Sequence, residues 1–252
     1  RLFWATQASV LGMLLTFPFM GYAGPSIAFS SLHVLLSYAF VWLFWRKLPR
    51  SDAFTYSFVK ASLLFMVLST LALWATAPII LFQLKGSALY YAAIQFFLHF
   101  QFNGWFLFAA LALFLKYAEG RGLQFPARTM RWVFALLAVS CFLTYALAVA
   151  WSNPLPVIFW INSAGVLLQL GAAVLFVRLV WPKRHQLELS GWSGFLIKLA
   201  FVCFVGKIAM QSAVAVPVVA EAAYTIRNYA IGFIHLILLG AITPFLLGFA
   251  LR

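Results

Sequence analysis

The chain contains eight apolar runs, and each is long enough to cross a bilayer as a helix. Spanning about 30 Å of hydrocarbon takes roughly 20 apolar residues. Hydrophobic residues make up 65% of the 252 positions and charged residues 8%, a composition that a water-soluble surface does not tolerate. The alternating pattern of a membrane β-barrel is absent. We therefore predict an all-α fold, a polytopic transmembrane helix bundle of about eight spans that forms one domain over residues 1–252. The predicted spans lie near residues 2–22, 25–45, 54–76, 89–115, 131–151, 157–181, 194–214 and 229–251.

Lysine and arginine are concentrated in alternate loops, and this distribution predicts the orientation in the membrane. The opposite loops hold only Lys85 and Arg227. Because short cytoplasmic loops collect positive charge, we predict a bacterial inner (plasma) membrane protein with both chain ends cytoplasmic. The net charge of +13 then reflects topology and contact with the anionic headgroups of the lipid bilayer, and it predicts no nucleic-acid partner. The basic residues of the predicted cytoplasmic loops are Arg46, Lys47, Arg50, Lys116, Arg121, Arg128, Arg131, Arg178, Lys183 and Arg184.

Three histidines, His33, His99 and His235, lie inside predicted spans and in the same leaflet half. A rise of roughly 1.5 Å per residue places all three within about 9 to 15 Å of the outer surface. Intramembrane ionisable groups are costly, so their common depth predicts a shared ligand or ion site. The alternative is that each histidine bonds a neighbouring helix, an interaction worth about 0.6 kcal/mol on average.

The neighbours of these histidines support a site. Gly232 lies one turn before His235 and leaves room for a flat group. Residues three and four apart share one face of a helix, and two predicted spans carry polar stripes at that spacing. The stripes consist of Ser26, Ser30, His33 and Ser37 in the second span, and of Gln95, His99 and Asn103 in the fourth.

Two basic residues complete the candidate site. Lys207 lies thirteen positions into the seventh predicted span from the cytoplasmic side, too deep to reach the inner surface. It is predicted to be the counter-charge for an anionic substrate or a haem propionate, or alternatively to reach upward to lipid phosphate. Arg227, at the predicted outer mouth of the eighth span, either binds propionates or anchors the helix at the interface.

The sequence lacks the residues that several enzymatic reactions require. The sequence has no Gly-rich phosphate loop, no Cys-pair metal motif and no helical His-Glu-x-x-His, so nucleotide hydrolysis and zincin-type proteolysis are excluded. The acidic residues Asp52, Glu119, Glu188 and Glu221 all lie outside the predicted spans, which excludes a proton relay of intramembrane carboxylates.

Three stretches carry a resemblance to a known family: residues 1–22, Leu98-His-Phe-Gln-Phe-Asn-Gly-Trp-Phe, and His235-Leu-Ile-Leu-Leu-Gly. They resemble a family of bacterial multi-pass membrane proteins with distant similarity to the large subunit of haem-copper oxidases and nitric oxide reductases. The resemblance covers most of the chain and implies haem b or copper bound by His33, His99 and His235. It also implies a further histidine-rich helix upstream of this sequence. A complete oxidase centre needs an adjacent histidine pair inside the membrane, which this chain lacks.

These observations leave three functions open. The first is a redox protein of respiratory electron transfer that binds haem b or copper near the outer leaflet, with a quinone or cytochrome as electron partner. The second is a transporter or channel in which Lys207 attracts an anion into a polar intramembrane path. The third is a non-catalytic structural subunit that joins other membrane subunits. The sequence does not decide whether the chain is an enzyme.

Overall fold

The structure is a computed structural model that describes residues 1–49, 54–150 and 155–252, without the side chains of Tyr224 and Arg227. The described residues form helices and connecting turns, and no strand occurs among them. Two π-helical turns, which we call π1 and π2, lie at Phe100–Phe106 and Leu236–Ile242, and a 3-10 helix lies at Trp181–Leu187. The α-helices are α1 (Leu2–Met20), α2 (Gly24–Lys47), α3 (Phe54–Leu81), α4 (Ala88–His99), α5 (Leu107–Gly120), α6 (Ala127–Leu143), α7 (Tyr145–Val149), α8 (Pro156–Val180), α9 (Gly191–Ala213), α10 (Pro217–Thr225), α11 (Arg227–His235) and α12 (Thr243–Ala250).

Within the described residues, eight helical segments are long and apolar enough to cross a membrane, which confirms the predicted count. Several are longer than predicted because helix geometry continues past the apolar run; one such segment covers Ala88–Gly120 through α4, π1 and α5. Large apolar side chains such as Leu64, Trp132 and Val202 are exposed on their outer faces. Exposed apolar surface on this scale suits lipid and not water. The chain is therefore an all-α, multi-pass membrane protein.

The chain divides into two compact units, residues 1–51 and 52–252, and each is described by itself. In the first unit α1 packs against α2. Gly12 permits the close approach, because a Cβ atom there would lie 2.3 Å from the ring of Phe29. The prediction that residues 1–252 form a single domain stays a prediction.

The core of the second unit is rich in aromatic rings. The ring centroid of Phe65 lies 5.1 Å from that of Phe108 and 5.9 Å from that of Phe100. Gly104 of π1 brings its backbone against Phe65, since a Cβ atom there would lie 2.7 Å from the Phe65 ring. Lipid is as apolar as these side chains, so close packing, more than exclusion of water, holds such helices together.

The two ends of the second unit differ in charge. One end, which we call the charge-rich end, comprises residues 120–127, 181–190 and 251–252. There Arg121 forms an ion pair with Glu188, and the Tyr117 hydroxyl donates a hydrogen bond of 2.5 Å to the carbonyl of Leu187. The opposite, charge-poor end comprises residues 82–87, α7 and α10. These connections fix the ends of the spans that surround the candidate site.

Candidate functional site

A cavity of about 200 Å³ lies in the half of the second unit nearer the charge-poor end. Its wall comes from α4, π1, α7, α8, α9, α10, α11 and the segment that joins α6 to α7. We call it the polar cavity because seven polar side chains line it: Gln95, His99, Asn103, Thr144, Asn162, Gln211 and Tyr229.

His99 caps a helix end from inside this cavity. Its Nε2 lies 2.8 Å from the carbonyl oxygen of Cys141, so Nε2 carries the proton and donates. The Cys141 carbonyl is among the last four of α6, which have no partner within their own helix. The other ring nitrogen, Nδ1, lies 3.5 Å from Nδ2 of Asn103, which donates to it. Both nitrogens of this imidazole are therefore in use.

The cap predicts a stability role for His99. We expect His99→Phe to lower the free energy of unfolding by about 1–3 kcal/mol, because the buried Cys141 carbonyl loses its donor. Thermal unfolding of the protein in lipid nanodiscs measures the change. His185→Phe, at an exposed position in the 3-10 helix, is the matched control and should leave the transition unchanged. Equal transitions for both variants would contradict the capping role.

Three polar atoms in the cavity wall have no partner among the described residues. They are Asn103 Oδ1, Asn162 Nδ2 and Gln211 Oε1, and all three are buried. Leaving such an atom unpaired costs about 1–3 kcal/mol, and buried polar groups in folded proteins are normally paired. One donor group and two acceptors, on side chains that line the cavity, are therefore left without a partner among the described residues.

Lys207, which lies near the polar cavity but is not among the residues that line it, is a fourth buried group without a partner among the described residues, and it carries a formal charge. Only 2% of it is exposed, and its Nζ has no hydrogen-bond partner among the described residues. The Nζ lies 5.9 Å from the ring of Phe233, a residue of the polar cavity wall. In the described ranges no acidic side chain pairs with Lys207; the two ion pairs found there join Lys116 to Glu119 and Arg121 to Glu188.

A second cavity, of about 710 Å³, lies next to Lys207. We call it the apolar cavity, because its wall consists mainly of apolar side chains from α5, α8, α9, π2 and α12. Lys207 lines this cavity, and Phe102 lines both cavities. Lys207 therefore lies at the boundary between a polar and an apolar space.

The predicted site residues lie in different surroundings. His33, in the first unit, is half-buried, and its Nδ1 lies 3.0 Å from the hydroxyl of Ser9. His235 is exposed. The side chain of Arg227 lies outside the described part of the structure. Of the five predicted residues, His99 lines the polar cavity, whereas Lys207 lines the apolar cavity and has its Nζ 5.9 Å from the ring of Phe233 in the polar cavity wall.

The imidazoles of the second unit can be tested as haem ligands. An axial ligand needs a ring nitrogen with a free lone pair, and both nitrogens of His99 are hydrogen-bonded. His99 therefore does not fit as a ligand in the conformation described. Across residues 1–49, 54–150 and 155–252, no group of three or more His, Cys, Asp or Glu side chains could hold a metal ion. Binding of haem b or copper by His33, His99 and His235 stays a prediction.

Both π-helical turns begin directly after a histidine. π1 follows His99 and π2 follows His235, and the two turns are in contact with each other. π-helical turns are rare and occur frequently at functional sites, because each displaces the side chains that follow it. The hydrophobic pattern of the sequence gives no sign of them.

Sequence reasoning assigned some cavity residues differently. Asn162, Gly165 and Gln169 are three and four residues apart and share one face of α8, a spacing that predicts packing against a neighbouring helix. Gly165 confirms this contact, since a Cβ atom there would lie 2.7 Å from Cβ of Leu143. Asn162, however, also lines the polar cavity. Tyr229 is a further cavity residue; its hydroxyl donates to the carbonyl of Met210 at 3.1 Å and ties α11 to α9.

No protein-family model, curated protein or solved structure matches this chain.

Proposed function

We propose that this protein binds a small oxyanion in the polar cavity and carries it across the membrane, as a transporter or channel. The observation on which the proposal rests is Lys207, a buried amine with no partner among the described residues, beside a cavity with three more unpaired polar atoms. An isolated buried charge is very costly unless it is paired. An anion in the cavity would supply the missing charge.

The unpaired atoms also indicate the chemistry of the anion. Lys207 and Asn162 offer donors to its negative oxygens. Asn103 Oδ1 and Gln211 Oε1 are acceptors, and they need a hydroxyl on the ligand or a bridging water. A small hydroxy acid or a hydrogen oxyanion has both features. The cavity of about 200 Å³ has room for such an ion but not for a nucleotide or a sugar phosphate.

The same reasoning favours a binding role over a purely structural one. Polar groups that only join helices find their partners in the neighbouring helix, as Tyr145 does by donating to the carbonyl of Ala92 at 2.9 Å. The unpaired atoms around the polar cavity have no such partner in the described residues. A structural subunit gains nothing from them.

We further propose that the charge-rich end faces the cytoplasm of a bacterial cell, so that both chain ends are cytoplasmic. Support comes from the excess of basic residues in the loops at that end, because positive loops are retained on the cytoplasmic side. The polar cavity then belongs to the outer half of the membrane.

Uptake by proteoliposomes tests the transport proposal. Glycolate and acetate are similar in size and charge, but only glycolate carries a hydroxyl donor. We expect protein-dependent glycolate uptake that exceeds acetate uptake by about tenfold or more, because a buried acceptor left unpaired costs about 1–3 kcal/mol. Empty liposomes give the background. No uptake of either anion above that background would contradict transport.

A redox role is the second candidate, and the feature that favours it is π2. The turn begins after His235, whose exposed ring leaves its nitrogens accessible to haem b or copper. A quinone or cytochrome would then be the electron partner. If this role holds, we expect purified protein to show a Soret band or bound copper that His235→Phe removes and His185→Phe retains. An absorption spectrum with metal analysis tests this role. Wild-type protein with neither a Soret band nor bound copper would contradict the redox role.

A further inference from the structure

The apolar cavity has a positively charged mouth, although its wall is mainly apolar. Its interior is lined by side chains such as Phe114, Phe176 and Phe204, whereas its rim at the charge-rich end carries Arg184 and Lys198. Its volume of about 710 Å³ is typical of a ligand site and far larger than the voids left by ordinary helix packing.

Both cations at the rim can bind an anion. The Nη1 atom of Arg184 donates a hydrogen bond of 2.8 Å to the carbonyl of Trp181, and the guanidinium carbon lies 4.5 Å from the centroid of the Trp181 ring. These contacts fix the side chain and leave its other N–H groups free for a second acceptor. Lys198 is exposed on α9, and its flexible stem can bring the ammonium to the same level.

The acid at the rim does not neutralise these cations. Glu188 is the acidic residue in the cavity wall, and it is already paired with Arg121. No acidic partner of Arg184 or Lys198 occurs in the described part of the chain. The mouth therefore keeps a net positive charge.

We infer that the apolar cavity is a binding site for an anionic phospholipid of the surrounding membrane. One acyl chain would fill the cavity, and the phosphate would bind Arg184 and Lys198. Basic pockets between membrane helices bind anionic headgroups in this way. Lys207, on which the transport proposal rests, also lines the apolar cavity, but Arg184 and Lys198 do not line the polar cavity, so headgroup binding is tested separately from transport.

Native mass spectrometry of the full chain, after exchange into mixed lipids, tests this site. The probes are dioleoyl phosphatidylglycerol, dioleoyl phosphatidylcholine and a phosphatidylglycerol with six-carbon chains. We expect dioleoyl phosphatidylglycerol to be retained roughly thirtyfold better than the choline lipid, because two basic groups attract the phosphate. The short-chain lipid should be retained poorly, because it leaves the cavity unfilled.

Variants separate this site from general attraction of lipid to a basic protein. Arg184→Gln with Lys198→Gln should lower phosphatidylglycerol retention to the level of phosphatidylcholine. Arg128→Gln with Arg131→Gln removes two exposed cations that do not line the cavity and should change nothing. Equal loss in both double variants would overturn the proposal. So would equal retention of the long-chain and short-chain lipids by the wild-type protein, a result that does not depend on any variant folding.

Discussion

Replacing Lys207 by methionine should abolish anion binding and, at the same time, make the ligand-free protein more stable. Methionine keeps an unbranched side chain, one heavy atom shorter, but removes a buried charge that has no partner among the described residues. Loss of one member of a buried charge pair costs about 3–5 kcal/mol, so glycolate should bind roughly 100-fold more weakly or worse. Without glycolate, the same substitution removes an uncompensated charge and raises the unfolding temperature.

Thermal unfolding in nanodiscs, with and without glycolate, measures both effects. Wild-type protein should gain about 2.7 kcal/mol at a glycolate concentration 100 times its Kd, and Lys207→Met should gain nothing. Lys60→Met is the matched control, because Lys60 is an exposed lysine within the third span. It should keep the full glycolate response. If Lys207→Met responded to glycolate as the wild type does, Lys207 would not be the anion's partner and the polar cavity would lose its proposed role.

Gly104→Ala should destabilise the protein, although it adds only one methyl group. The new Cβ would lie 2.7 Å from Cγ and 2.8 Å from Cβ of Phe65, and neither atom is at a flexible end of that side chain. Overpacking of this kind costs about 1–3 kcal/mol. The strain falls beside Asn103 in π1, so the polar cavity should be disturbed as well.

A second glycine provides the control for that experiment. Gly171 lies inside α8, and nothing lies within 4 Å of the position that its Cβ would take. Gly171→Ala should be neutral or stabilise by up to about 1 kcal/mol, since alanine favours the helix. Unfolding followed by tryptophan fluorescence compares the two variants. A Gly104→Ala protein as stable as the Gly171→Ala protein would mean that π1 and Phe65 are packed less closely than described.

The spans could be predicted because hydrocarbon thickness fixes their length and excludes charge from their centres. At the membrane surface, where charged residues are tolerated, hydrocarbon thickness no longer fixes where a helix ends. The span at Pro156–Leu187 ends six residues later than predicted, since the helical path continues into the basic turn around Arg184. The short helix α10 also could not be read from hydropathy, because nine residues are too few for a span.

The polar residues of the site could be predicted singly but not as a group. Depth in the membrane follows from counting residues, whereas rotation about the helix axis depends on packing. His99 and His235 were expected at similar depth, yet His99 is turned into the polar cavity and His235 is exposed. Lys207 and Gln211 stand one turn apart on one helix, and only the other helices show that they border different cavities.

Because of π1, the two halves of one continuous span line different cavities. A π-helical turn holds an extra residue per turn, so the helix after it is rotated with respect to the helix before it. Before the turn His99 lines the polar cavity, and after it Ala110 and Phe114 line the apolar cavity. Deleting a single residue within Phe100–Phe106 would restore regular winding and swing α5 by about 100° around its axis, the angle between successive residues of an α-helix. The residues of α5 that now line the apolar cavity would then point elsewhere, although the amino-acid composition of the span would be almost unchanged.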